Sequence, residues 1–142
     1  MYKGINVTGT EFFNLLYESV DFTSMMGKMT LASSRLESQI LLFLKNNDTD
    51  LTNDKATLGK LIIMLVSKKL IDKPLEDFLN LVKDQRNYLT HNISALLSDL
   101  MVETILERHN LIDSDVSTYI DRAYELKENL NELADIFKNM NE

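Results

Sequence analysis

Between Gln85 and Asn92 the chain reads Gln-Arg-Asn-Tyr-Leu-Thr-His-Asn, and polar side chains interrupt an apolar stripe there. On an α-helix Asn87 and His91 stand about 40° apart, as do Arg86 and Thr90, while Arg86 and His91 are separated by about 140° and roughly 7.5 Å along the axis. One helix therefore presents a guanidinium, an amide, a hydroxyl and an imidazole as one broad polar patch. Imidazole titrates near neutrality and moves protons, and arginine stays charged and can hold two phosphoryl oxygens at once. Those are the requirements for cleaving RNA by attack of its own 2′-hydroxyl: a base, an acid and positive charge on the phosphate. A single imidazole cannot easily serve as base and acid on opposite sides of one phosphate. A twofold dimer that faces two such helices supplies two His and two Arg.

The elements that must position this patch are helical. One Pro and four Gly among 142 residues, 44% of them apolar, leave little punctuation for many short strands. Thr8 or Thr10 can cap a first helix, with Glu11 in its opening turn and Phe12, Phe13, Leu16, Val20 and Phe22 on its apolar side. A second helix, or the continuation of the first past Gly27, carries Met25, Met29, Ala32, Leu36, Ile40 and Phe43/Leu44, with Lys28, Ser34, Glu37 and Lys45 on its far face. It stops at Asn46-Asn47. The Asn- and Asp-rich segment 46–55 is the most loop-like stretch. Its Asp48, Asp50 and Asp54 lack the Gly and Glu that a calcium loop needs at its sixth and twelfth positions.

From Thr57 a helix is expected to about Leu70, with Ile63 and Met64 widening its apolar arc enough for packing on more than one side. Pro74 starts the next helix, whose core face is Leu75, Phe78, Leu79, Val82 and Leu89 and which carries the polar patch. A shorter helix follows from about Leu100 to Asn110. A final one, capped by Asp113 or Ser114, carries Val116, Tyr119/Ile120, Ala123, Leu126, Leu130, Leu133 and Phe137. The expected fold is all-α, an antiparallel bundle of four or five helices forming one domain over residues 1–142, with a seam wide enough for dimerisation.

Composition narrows the chemistry. The chain has no cysteine, which excludes Cys-ligated zinc, iron–sulfur clusters and thiol nucleophiles. It has no Gly-rich phosphate loop, no Gly-x-Ser-x-Gly elbow, no His-Glu-x-x-His and no repeated Glu-x-x-His, so no cofactor or metal is expected. Carboxylate pairs such as Glu103 with Glu107, or Glu125 with Glu128 and Glu132, read as solvated helix faces, and His109 reads as a structural helix-end residue. Residues 1–10 carry no signal-like apolar stretch, and the longest apolar run, Leu61 to Val66, is far short of a bilayer span, so a cytoplasmic protein without membrane contact is expected. With 15 Lys+Arg against 22 Asp+Glu, the net charge of −7 opposes indiscriminate binding to nucleic acid. Any RNA contact must be local. Lys83, with Lys68, Lys69 and Lys73, can supply a basic rim, and Tyr88 can stack on a base or pack into the core or a dimer.

The stretch Arg86-Asn87-Tyr88-Leu89-Thr90-His91 resembles the motif of the HEPN superfamily of helical proteins: Arg, a polar residue, then His, here with four residues between Arg and His. The upstream Thr57-Leu58-Gly59-Lys60-Leu61-Ile62 is similar to the helix start that precedes the motif helix in several HEPN groups, and the resemblance in architecture spans roughly residues 25–140. It implies a bundle dimer acting as a metal-independent endoribonuclease, often in toxin–antitoxin, abortive-infection or antiviral defence systems. In that pattern Arg86 and His91 are catalytic, Asn87 orients the site, and Tyr88, Thr90 and Lys83 are placed to bind substrate. An antitoxin or other operon-encoded partner protein goes with such a role. One toxin branch has a modifiable Tyr two residues after the His; Ile93 stands there in this chain, which argues against a nucleotidyltransferase partner. Two other readings stay open: a catalytically inactive helical dimer serving as an interaction or regulatory module, and a binder whose acidic face mimics nucleic acid.

Overall fold

A computed structural model describes residues 4–49, 56–97 and 111–142. Five helices dominate: α1 (Gly9–Glu18), α2 (Val20–Asn46), α3 (Leu58–Ser67), α4 (Lys73–Ala95) and α5 (Val116–Asn141). Thr8 caps α1 in a reciprocal box, accepting from the Glu11 amide at 3.1 Å while Glu11 accepts from the Thr8 amide at 3.1 Å. The break between α1 and α2 falls at Ser19 rather than at Gly27. The Ser19 amide closes α1 on Leu16, and its hydroxyl accepts from the Phe22 amide to open α2. Gly27 lies inside α2 on an exposed turn, where a Cβ would meet nothing within 4 Å.

Both α2 and α3 end in left-handed caps without glycine. Asp48 (φ 61°) and Lys69 (φ 57°) take that position, and the amides of Thr49 and Leu70 reach back to the carbonyls of Leu44 and Leu65. The α3 helix therefore stops at Ser67, short of the expected Leu70. Asp72 then caps α4, its carboxylate accepting from the Leu75 amide at 3.0 Å. The expected caps of α5 do not form. A 3-10 turn over Asp113–Asp115 leads into that helix, the Asp113 side chain accepts from the Ile5 amide, and Asp115 accepts from the Ile112 amide.

Those two carboxylates serve a small feature that the sequence pattern did not announce. The two-residue strands β1 (Asn6–Val7) and β2 (Leu111–Ile112) pair antiparallel, Asn6 with Ile112 and Val7 with Leu111. Gly4 is required beside them: its φ is +78°, and a Cβ there would come within 2.7 Å of Ile112. The expected short helix at about 100–110, together with Arg108, His109, Glu103 and Glu107, lies outside the described residues, as do Asp50 and Asp54.

Helix direction departs from the expected antiparallel pattern. Phe22 meets Tyr119, Arg35 meets Asn131 and Asp135, and Asn46 meets Asn141, so α2 and α5 run parallel along their whole length. By contrast α4 opposes α5, with Gln85 against Asn129 and Leu75 and Phe78 beside Ile136 and Met140. Short loops force antiparallel neighbours, but α2 and α5 are far apart in sequence and carry no such constraint.

The core centres on α2 and α5, where the rings of Phe12 and Phe22 meet Tyr119 edge-on and Phe43 meets Phe137 the same way. The α3 helix buries one face, Leu58, Leu61, Ile62 and Leu65, and leaves Ile63 67% exposed. It packs against both α2 and α4, with Met64 half-buried against the core, whereas Val20, expected in the core, is 79% exposed. No described helix is long and apolar enough to cross a membrane.

Candidate active site on the fourth helix

The polar patch lies on α4, and its members divide by angle around that helix. Leu79, Val82 and Leu89 point into the core. Arg86 and Thr90 flank them on the side of α2, Asn87 and His91 are exposed on the outward face, and Gln85 and Tyr88 flank the core on the side of α5.

On the α2 side, Arg86 is held across the helix pair. Its Nη1 donates to Ser33 Oγ at 2.8 Å and to Glu37 Oε1 at 3.3 Å. Ser33 is buried, and the Arg86 and Glu37 side chains are 27% and 32% exposed. These groups, with Met29, Ser34 and Thr90, line an open groove of about 360 Å³. The sequence pattern placed Glu37 on a solvated face. It instead neutralises the one arginine of the motif, a contact that only the packing of α2 against α4 creates.

On the α5 side, Gln85 Oε1 accepts from Asn129 Nδ2 at 3.2 Å. Gln85, Tyr88, Leu89 and Arg122 line a tighter cleft of about 110 Å³. Asn92, one turn beyond Tyr88, is fully buried, and neither its amide oxygen nor its nitrogen has a partner among the described residues. The Tyr119 hydroxyl is likewise buried and unpartnered among them. Burial, reinforced by Tyr88 and Asp115, pushes its ionisation well above the usual phenol range.

The expected basic rim is dispersed. A Cβ on Gly59 would lie 3.8 Å from Lys83 Cδ, which places the Lys83 stem beside the start of α3. Lys73 pairs with Asp77 at 3.0 Å and Glu76 at 3.8 Å at the opening of α4, roughly 20 Å along the helix axis from Arg86. Glu125, Glu128 and Glu132 are exposed, and the Lys127 ammonium beside Glu128 holds that carboxyl below the usual range. Among the described residues no three His, Asp or Glu side chains converge as a metal site would require.

The structure thus brings Arg86 and Thr90 to one groove with Ser33 and Glu37, and sets Asn87 and His91 on the adjoining face of the same helix. Arg122, Asn129, Ser33 and Glu37 are the neighbours that sequence reasoning missed. Comparison with protein-family models, curated proteins and solved structures finds no match to this chain.

Proposed function

We propose that this chain is a HEPN-like endoribonuclease that works as a twofold dimer without a metal, in the manner of a toxin or antiviral effector of the cytoplasm. The observation that carries this reading is the placement of Arg86 in an open groove while Asn87 and His91 occupy the adjacent exposed face of α4. A second α4 laid across the first supplies the opposing imidazole. One His91 then takes the proton of the 2′-hydroxyl, whose oxygen attacks phosphorus. The second His91 gives a proton to the departing 5′-oxygen, leaving a 2′,3′-cyclic phosphate and a 5′-hydroxyl. The two Arg86 side chains hold the non-bridging oxygens, and Asn87 orients the imidazole or the phosphate.

In the free chain Glu37 occupies the guanidinium that a phosphate would take. RNA must displace that carboxylate, which keeps the resting site electrically quiet in an acidic protein. The same ion pair favours a second reading, a catalytically inactive interaction or regulatory module. In that reading Arg86 ties α4 to α2, and exposed apolar residues such as Val20, Leu31 and Ile63 dock an operon-encoded partner.

Cleavage of total RNA in EDTA by wild type, Arg86→Ala and His91→Ala separates the two. Ends carrying a 2′,3′-cyclic phosphate from wild type, and their loss in both variants with helicity unchanged, support the nuclease. Equal cleavage by all three discards the site, and no cleavage at all favours the module.

A further inference from the structure

We infer that the cleft between α4 and α5 lined by Gln85, Tyr88, Leu89 and Arg122 is a nucleobase subsite, which holds one single-ring base of an RNA strand whose backbone passes His91. The identity of the ligand as RNA rests on the proposed function. The chemistry of the cleft is independent of it.

The volume of about 110 Å³ is well below the roughly 300–1,000 Å³ of pockets that enclose whole small molecules, so one flat ring enters and the sugar-phosphate stays outside. Tyr88 is 45% exposed and supplies an aromatic face at its mouth. Tyr88 and His91 are three residues apart, hence neighbours on the helix surface, about 60° and 4.5 Å from each other. A base seated on Tyr88 therefore leaves its ribose beside the imidazole.

Gln85 provides the edge contact. Its Oε1 is engaged by Asn129, which fixes the amide, and its nitrogen donates to no other described residue. That NH₂ suits a carbonyl acceptor, such as the O2 that cytosine and uracil share. Arg122 is 58% exposed, and its one ion pair among the described residues is with Glu125 at a long 3.9 Å, so its guanidinium can turn to the phosphate of the same nucleotide. With Gln85 opposite Asn129 in the antiparallel α4/α5 pair, Asn92 falls level with Arg122. Its amide is buried without a described partner and is not among the groups that line the cleft. Stacking, an amide donor and a guanidinium in one narrow cleft are the means by which proteins hold an unstacked base.

The test uses the full chain and 2′-O-methyl hexanucleotides, which cannot be cleaved, bearing a pyrimidine, a purine or an abasic site at one central position. Binding is read by calorimetry or by tyrosine fluorescence, which no tryptophan obscures in this chain. The pyrimidine ligand is expected to bind about tenfold more tightly than the abasic one. Tyr88→Leu removes that difference, and Tyr88→Phe retains it. Gln85→Glu keeps an acceptor for Asn129 but removes the donor to the pyrimidine carbonyl, and so narrows the preference for pyrimidine over purine to what the width of the cleft supplies. If Tyr88→Leu and Gln85→Glu leave both differences intact while His91→Ala still abolishes RNA cleavage, the subsite is wrong and the nuclease reading stands. If the base preference behaves as expected but wild type cleaves nothing, the subsite stands and the nuclease reading falls. If no hexanucleotide binds, both fall.

Discussion

Replacing Glu37 with Gln isolates the electrostatic part of the Arg86 contact, because the amide oxygen still accepts a hydrogen bond and the side-chain volume is kept. At 3.3 Å the Coulomb attraction is about 5 kcal/mol at an effective dielectric of 20 and about 1.3 kcal/mol in bulk water. Both side chains are close to one-third exposed, so screening and desolvation leave a net contribution nearer 1 kcal/mol. Glu37→Gln should therefore lower stability by about that amount, a fall in Tm of about 3–4 °C for a domain of this size.

A freed guanidinium gains what the carboxylate no longer takes. Single-stranded RNA should bind the variant about five- to tenfold more tightly at low salt, equivalent to about 1–1.4 kcal/mol, and the log–log salt dependence should steepen by about 0.7. Fluorescence anisotropy with a labelled 2′-O-methyl strand, titrated at several salt concentrations, measures both quantities. Adding Arg86→Ala to the variant should abolish the gain. Unchanged RNA affinity in Glu37→Gln, with the expected loss of stability present, would refute the view that phosphate and Glu37 compete for Arg86.

Two further substitutions test the fold. Tyr119→Phe keeps both edge-on ring contacts and removes a buried hydroxyl without a described partner, so chemical denaturation at neutral pH should show about 1 kcal/mol of added stability. The raised ionisation of Tyr119 also fixes a sign: its neutral form is favoured in the fold, so its stability term is full below about pH 10 and is lost as pH rises above it. The alkaline decline in stability should be shallower in Tyr119→Phe than in wild type, and an equal slope in both would contradict the burial argument. Lys69→Gly places a residue without a Cβ at the left-handed end of α3 and should raise the denaturation midpoint by the equivalent of about 1 kcal/mol.

Local structure was the legible part of this sequence. Thr8, Thr57 and Pro74 announce three helix starts through chemistry that acts within a few residues, and the polar patch is found on the helix its periodicity required. What escaped was set by contacts far apart in the chain or by residues used against type. Ser19 closes one helix and opens the next, which no single propensity encodes. Asn46-Asn47 marked the end of α2, but Lys69 takes a position where glycine is the usual signal, so α3 was expected to run on to Leu70. Ile63 and Val20 are apolar residues left facing solvent, which periodicity alone cannot distinguish from core. The parallel course of α2 and α5 was hidden because no short loop joins them.

The same division explains the site. Arg86, Asn87 and His91 were readable because they share one helix turn or the next, but their electrostatic setting belongs to other helices. Glu37 and Ser33 reach Arg86 from about 50 residues away in sequence, and Asn129 fixes Gln85 from α5. A motif therefore identifies which groups are present, while the packing decides how much charge they show. Here that distinction has a direct chemical consequence. An Arg bound to Glu37 presents little net positive field, so a protein of charge −7 can display the residues for phosphate chemistry and still repel RNA until a phosphate replaces the carboxylate. On the proposed nuclease reading, the strength of one partly buried ion pair sets the threshold for RNA entry, and the Glu37→Gln titration measures that threshold.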